Sequence, residues 1–370
     1  MSYIQETMSE QEFLQSIASR NHREMTKSIL NQFNLFCNCT YSHSKEDVLA
    51  DLVLESKENN NSDKIYTMLN QFKLWLLEDH PDLFYYCGKN HTQKRPIKKR
   101  HANTVKVYLQ ELRNYLEVHN LEINERKFRK RVKVPKAEEE DPEPFTREEI
   151  RLLLDRCSNS QKLLYMVLKD SGMRIGETVQ LRKKDIDVTK NPVEIHIQAN
   201  YSKTKKARIT FVTRETAPML KRLLSGLQDD ELVFGTNNEP YIAVHSEITL
   251  FRYYRKELGK TYPKFLERYE SNDRHKKNIH SLRAFTATQC AESVDESFGH
   301  GLIGHKKYLQ QYIRNQDKMS EKYLRAENTL MIYETVEIVD SDETVKTMQK
   351  DVEKLQKMVY CLQKYAPKTV

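Results

Sequence analysis

The stretch "VPKAEEEDPEPFTREEI" constrains this chain most. It carries prolines, a run of four acids and no apolar periodicity, so neither helix nor strand can pass through it. Residues 134–145 are therefore predicted to be an extended, solvated linker. It separates a unit over 1–133 from a second over 146–328, with 329–370 as a terminal extension. A chain of 370 residues has the length for two cores. Upstream of the break, "EQEFLQSIASR", "REMTKSILNQFNLFCNCT", "DKIYTMLNQFKLWLLEDH" and "ANTVKVYLQELRNYLEVHN" repeat apolar residues at helical spacing. In the last, Val105, Tyr108, Leu109, Leu112 and Leu116 share one face, and Asn103 or Thr104 is placed to cap its start. Downstream, Thr146 and Glu149 form a capping-box pattern that reopens a helix. Two or three helices then lead into "VEIHIQANYSKTKKARITFVT", whose alternation predicts two strands around a basic turn. Helices resume at "TAPMLKRLLSG" and run to about 328, and "TLMIYETVEIV" reads as a terminal strand. With 9 glycines and 10 prolines in the whole chain, the expected class is mainly α with a small β-sheet: a helical bundle followed by an α+β domain.

No run of 18 apolar residues occurs and the N-terminus has no apolar signal core, which argues against spanning or secretion and for a cytoplasmic protein. The six cysteines read as reduced thiols. Cys37, Cys39, Cys87 and His91 match no common zinc spacing, and no metal site is expected. The formal net charge is +8, and its distribution is informative. "QKRPIKKRH" supplies Lys94, Arg95, Lys98, Lys99 and Arg100; "ERKFRKRVKVPK" supplies Arg129, Lys130 and Arg131. Both clusters lie beside helical segments, as expected of a surface that tracks the phosphates of a polyanion. Val345, Met348, Val352, Leu355, Val359 and Leu362 alternate at three and four, a short heptad pattern suited to packing on the body or on a second copy.

Four fragments carry chemistry. In "SGMRIGETVQLRKKDID", Arg174 stands among apolar residues and needs a counter-charge, either a carboxylate such as Glu177 or a bound phosphate. In "NIHSLRAFTATQC", His280 and Arg283 are three apart and project from one helix face. Lys203, with Lys205 and Lys206 beside it, occupies the basic turn "SKTKKARI". Last, Gly304-His305 precedes Tyr308 and Tyr312.

Taken in order, these residues resemble the tyrosine recombinases, the phage integrase family, across the whole of 146–328; "YLQQYIRNQ" and "YLRAENTL" look most like archaeal members. The resemblance implies a core-binding helical domain and a catalytic domain that clamp duplex DNA. It implies a tyrosine that attacks a phosphodiester to give a 3′-phosphotyrosyl bond and a free 5′-hydroxyl. No metal or other cofactor is implied, because Arg174 and Arg283 would hold the phosphate oxygens. Lys203 would protonate the leaving oxygen, Lys205 and Lys206 being its possible substitutes and DNA contacts. His280 would assist proton transfer, and His305 would hydrogen-bond the phosphate. Tyr312, seven residues after His305, is the expected nucleophile; Tyr308, at three, is too close, and Tyr323 is more distant still. The implied protein is an integrase of a mobile element or virus that assembles as a tetramer on double-stranded DNA, in the nucleoid or in a host cytoplasm. A type IB topoisomerase and a catalytically silent DNA-binding relative are the alternatives.

Overall fold

A computed structural model describes residues 8–59, 63–87, 93–136, 140, 143–202, 205–235, 237–304 and 316–333. They form two compact units, one of Met1–Asp141 with Arg268–His275, the other of Pro142–Glu267 with Lys276–Val370. The class is mainly α with small sheets.

The first unit contains α1 (Glu10–Ser16), α2 (Arg20–Tyr41), α3 (Lys45–Asn59), α4 (Asp63–Leu76), β1 (His80–Cys87), β2 (Gln93–Ile97), α5 (Ala102–Val118) and α6 (Glu125–Arg131). Apolar stripes on α2, α4 and α5 make its core. Phe33 and Phe36 of α2 meet Phe72 of α4 at ring separations of 5.3 and 5.2 Å. The five α5 residues expected on one face are all buried. Burial of such aromatic and aliphatic side chains contributes roughly 1.5–3 kcal/mol each.

Three local expectations change. Helix α5 begins at Ala102, with His101 extended before it and no side-chain cap bond, so neither Asn103 nor Thr104 caps it. The Val105 amide donates to the His101 carbonyl at 3.0 Å, which makes His101 the cap position. Residues 93–97, expected beside a helix, form a strand that pairs antiparallel with β1, Tyr85 opposite Arg95. The "ERKFRKR" cluster is itself helix α6, started by Asn124, whose side chain accepts from the Lys127 amide.

The second unit contains α7 (Arg147–Arg156), α8 (Asn159–Ser171), α9 (Ile175–Thr178), β3 (Ile186–Asp187), β4 (Val193–Ile197), β5 (Arg208–Val212), α10 (Ala217–Ser225), α11 (Pro240–Gly259), α12 (His280–Ser293), α13 (Glu296–Leu302) and α14 (Gln316–Leu330). Strands β3, β4 and β5 form one antiparallel sheet in that order. On β4, Val193, Ile195 and Ile197 point into the core, as the alternation predicts. Thr146 and Glu149 make the expected reciprocal cap on α7.

Helix α8 is buried from Leu163 to Ser171, a consequence of being apolar nearly all round. Its last turn is polar and equally buried, so every charge there needs a partner. Lys169 pairs with Asp170 and with Glu215 (3.1 Å), and donates to the Leu330 carbonyl at 2.9 Å. Asp170 accepts from the Thr213 amide and hydroxyl and from the Thr216 hydroxyl. Glu215 in turn accepts the amides of Ile332 and Tyr333. This network fastens α14 to the body. Helix α14 continues through Thr329 and Leu330, which the sequence assigned to a strand, because buried Leu330 completes its apolar face and its carbonyl is taken by Lys169. The remainder of that predicted strand from 334, and the heptad segment, lie outside the described residues.

Candidate active site

The site is built where α8 ends. Gly172 caps the helix in the left-handed region (φ 60°), its amide donating to Leu168 O at 3.1 Å. A β-carbon there would lie 2.7 Å from Ile303, so only glycine lets the two segments meet so closely. Two residues on, Arg174 precedes α9. Its amide donates to Glu177 Oε2 at 2.9 Å and its Nη1 to Glu177 Oε1 at 3.1 Å. Its other guanidinium donors have no protein partner among the described residues, and the side chain is 27% exposed. The sequence left two readings for Arg174, a structural ion pair or a phosphate ligand. The geometry has room for both, because the carboxylate occupies only one edge of the fork.

Arg283 projects from the first turn of α12 into the interior. It donates to the backbone carbonyls of Gly172 and Ile303. Burial, followed by the nearby charges of Arg174 and Arg208, pushes its pKa down to about 9, so it still carries its charge at neutral pH. His280 starts the same helix. Its amide donates to Asn278 Oδ1 at 2.9 Å, and the residue is exposed. Protein packed behind the ring, then the charges of Arg283 and Arg174, lower its pKa from 6.5. Its resting form at pH 7 is the neutral imidazole, able to accept a proton.

A third guanidinium completes the group. Arg208, the first residue of β5, grips Glu177 with both arms, Nη1 to Oε1 at 3.0 Å and Nη2 to Oε2 at 2.6 Å. Burial would raise the Glu177 carboxyl, but the hydrogen bonds and charge of Arg208, with help from Arg174, hold it below its ordinary range. Two arginines thus share one carboxylate while Arg283 sits near enough to feel their charge, an excess of positive charge in a partly buried site. Sequence reasoning missed Arg208. Its one signal was position, five residues after Lys203 in the same basic stretch.

The structure therefore brings together Arg174, His280 and Arg283. Lys203, His305, Tyr308 and Tyr312 lie outside the described residues. Their flanks are well tied. Gly304, at φ 71°, turns the chain directly before His305. Before the Lys203 turn, Gln198 and Tyr201 both donate to buried Asp185, at 2.9 and 3.1 Å. Tyr323 is wholly buried, and its hydroxyl donates to the Asp170 carbonyl at 3.1 Å. Burial, then nearby Asp170, drives its pKa far upward.

Among the basic residues expected to face DNA, Lys94, Arg95, Lys98 and Lys99 are exposed on β2 and just after it. Arg100 is half-buried over the Tyr108 ring. On α6, Arg129 pairs with Glu125 and Arg131 with Asp63, whereas Lys130 has no ion pair among the described residues. Lys205 and Lys206 are exposed, Lys205 with φ 53°. No cluster of metal-ligating side chains occurs among the described residues, and none of their helices is long and apolar enough to cross a membrane.

Residues 143–319 match the phage integrase family. This segment carries that family's domain. The tyrosine recombinase XerA of Saccharolobus solfataricus is similar, 25% identical over 141 residues, which are 37% of this chain and 45% of the relative. Transposase A from transposon Tn554 of Staphylococcus aureus is 25% identical over 224 residues, 55% of this chain and 58% of its own. The chain thus spans about half the length of these curated relatives. The integrase from mycobacterium phage Brujita aligns over 88% of this chain and 91% of its own, at 14% identity and a TM-score of 0.41.

Proposed function

We propose that this integrase-family chain cuts and rejoins DNA at specific sites through a covalent 3′-phosphotyrosyl intermediate. The observation that carries the reading is the pair Arg174 and Arg208 on one carboxylate, with Arg283 and a neutral histidine beside them, inside the segment that matches the integrase family. Such a site is short of anions, and a scissile phosphate supplies one. Arg174, with unused donors, and Arg283 bind the non-bridging oxygens and stabilise the five-coordinate phosphorus. His280 takes the phenol proton of Tyr312 as its oxygen attacks phosphorus. The bond from phosphorus to the 5′-oxygen breaks, and Lys203 gives that oxygen its proton, while His305 hydrogen-bonds the phosphate. The basic faces of the first unit, residues 1–133, hold the duplex while the second, 146–328, performs the chemistry. Copies assemble as a tetramer on paired sites.

The test is a nicked suicide duplex that traps the covalent complex, made from the ends of the element that encodes the chain. Wild type should give a protein–DNA band that is lost in Tyr312→Phe and kept in Tyr308→Phe. A band lost only in Tyr308→Phe would reassign the nucleophile. No wild-type band on DNA that is demonstrably bound would overturn the catalytic reading in favour of a silent DNA-binding protein.

A further inference from the structure

We infer that Arg208 is a positioning residue that sets the aim of Arg174 and ties the sheet to the turn before His305; the catalytic part of this inference rests on the function proposed above. The argument begins with donor geometry. Glu177 has two oxygens and is asked to hold two guanidiniums. Arg208 takes both of them in a fork-to-fork pair, the stronger and more directional arrangement. Arg174 is left with one side-chain bond to Oε1 plus its own amide bond to Oε2. Its orientation is fixed while most of its donors stay available. Were Arg208 absent, the arrangement would collapse: Glu177 could close on Arg174 bidentately and turn its fork away from a substrate.

Exposure separates the two roles. The Arg208 side chain is 13% exposed against 27% for Arg174, and its Nε donates to the Leu302 carbonyl at 3.4 Å. A β-carbon on Gly304 would sit 3.1 Å from Arg208 Cδ, so the arginine stem is packed against the residue that precedes His305. Arg283 takes the next carbonyl, that of Ile303. Two guanidiniums therefore hold two successive carbonyls of the segment that leads to His305. Arg208 is also only five residues from Lys203 along the chain. One side chain thus links Arg174, the turn before His305 and the strand that follows the basic turn.

The experiment uses the full chain as wild type, Arg208→Met, Arg208→Lys and Glu177→Gln. Nitrogen-15 NMR of the arginine side chains, with the Arg174 Nε signal assigned through Arg174→Lys, reads the aim of Arg174 without any DNA. A shifted or exchange-broadened Arg174 signal in both Arg208 variants is expected, since a lysine cannot reproduce the fork. An unmoved signal overturns the inference. Urea unfolding checks that Arg208→Lys remains folded, and Glu177→Gln supplies the same readout from the other partner. The same proteins are then run in single-turnover cleavage on ordinary DNA and on DNA with a methylphosphonate at the scissile position. Arg208→Met should be about 10- to 100-fold slower on ordinary DNA, the range typical for a group that orients a reacting one. On the methylphosphonate the deficit should shrink, because a neutral centre asks less of Arg174. An equal deficit on both substrates would mean Arg208 matters only for packing. If wild type cleaves neither DNA while the Arg174 signal still moves, the proposed function falls and the positioning role stands.

Discussion

At the scale of single residues, charge separation organises the site. Glu177 is ionised at neutral pH, and its contribution to stability is present above about pH 4.5 and lost as the pH falls through its lowered value. His280 behaves in the opposite chemical sense: its lowered pKa makes it neutral, and it becomes cationic only on acidification below its ordinary 6.5. If it accepts the phenol proton, single-turnover cleavage should rise with pH along an acid limb whose midpoint lies below 6.5, and be flat from there towards pH 8. A midpoint above 6.5, or a limb that survives in His280→Gln, would remove the residue from that step. Arg174, His280 and Arg283 were legible in the sequence because their types and order are distinctive. Arg208 was not, because an arginine in a basic stretch looks like surface charge until its carboxylate partner, 31 positions away, is brought beside it.

Among elements, amphipathic periodicity revealed the helices well. Val105 through Leu116 of α5 and the capping box of α7 needed nothing beyond spacing and residue type. The β1–β2 ribbon stayed hidden for a physical reason. Pro81 and Pro96 stand inside its strands, and only Leu83 and Ile97 meet the core, too few to impose clean alternation. The polar end of α8 was also unreadable, since partners for "KDS" come from β5, from the turn between β5 and α10, and from α14. That network predicts a large mechanical cost for Lys169→Met. It would leave Asp170 and Glu215 without their shared cation in the interior, which destabilises by about 3–5 kcal/mol. Urea unfolding of the variant measures it. A loss under about 1 kcal/mol would show that water reaches these carboxylates and that the network is not what holds α14.

For the whole molecule, net charge overstates the surface available to a polyanion. Arg129 and Arg131 are tied to Glu125 and Asp63, and Arg100 lies over Tyr108. Lys98, Lys99 and Lys130 are exposed and without ion pairs among the described residues. Neutralising Lys98 and Lys99 should flatten the dependence of log binding constant on log salt by about 0.9 per phosphate contact removed, whereas Arg131→Ala should leave the slope close to wild type. Titration by fluorescence anisotropy across a salt series reads both. An unchanged slope in the lysine variants would place the duplex elsewhere on the protein.

The grip of Glu215 on the amides of Ile332 and Tyr333 also sets a limit on trade between copies. Residues 316–333 are woven into the second unit, with Tyr323 packed against Phe211 of β5 at 5.1 Å and Lys169 holding the end of α14. A segment so rooted cannot be lent to a neighbour without dismantling the lender. Anything that one copy lent to another from beyond α14 would therefore start after Tyr333.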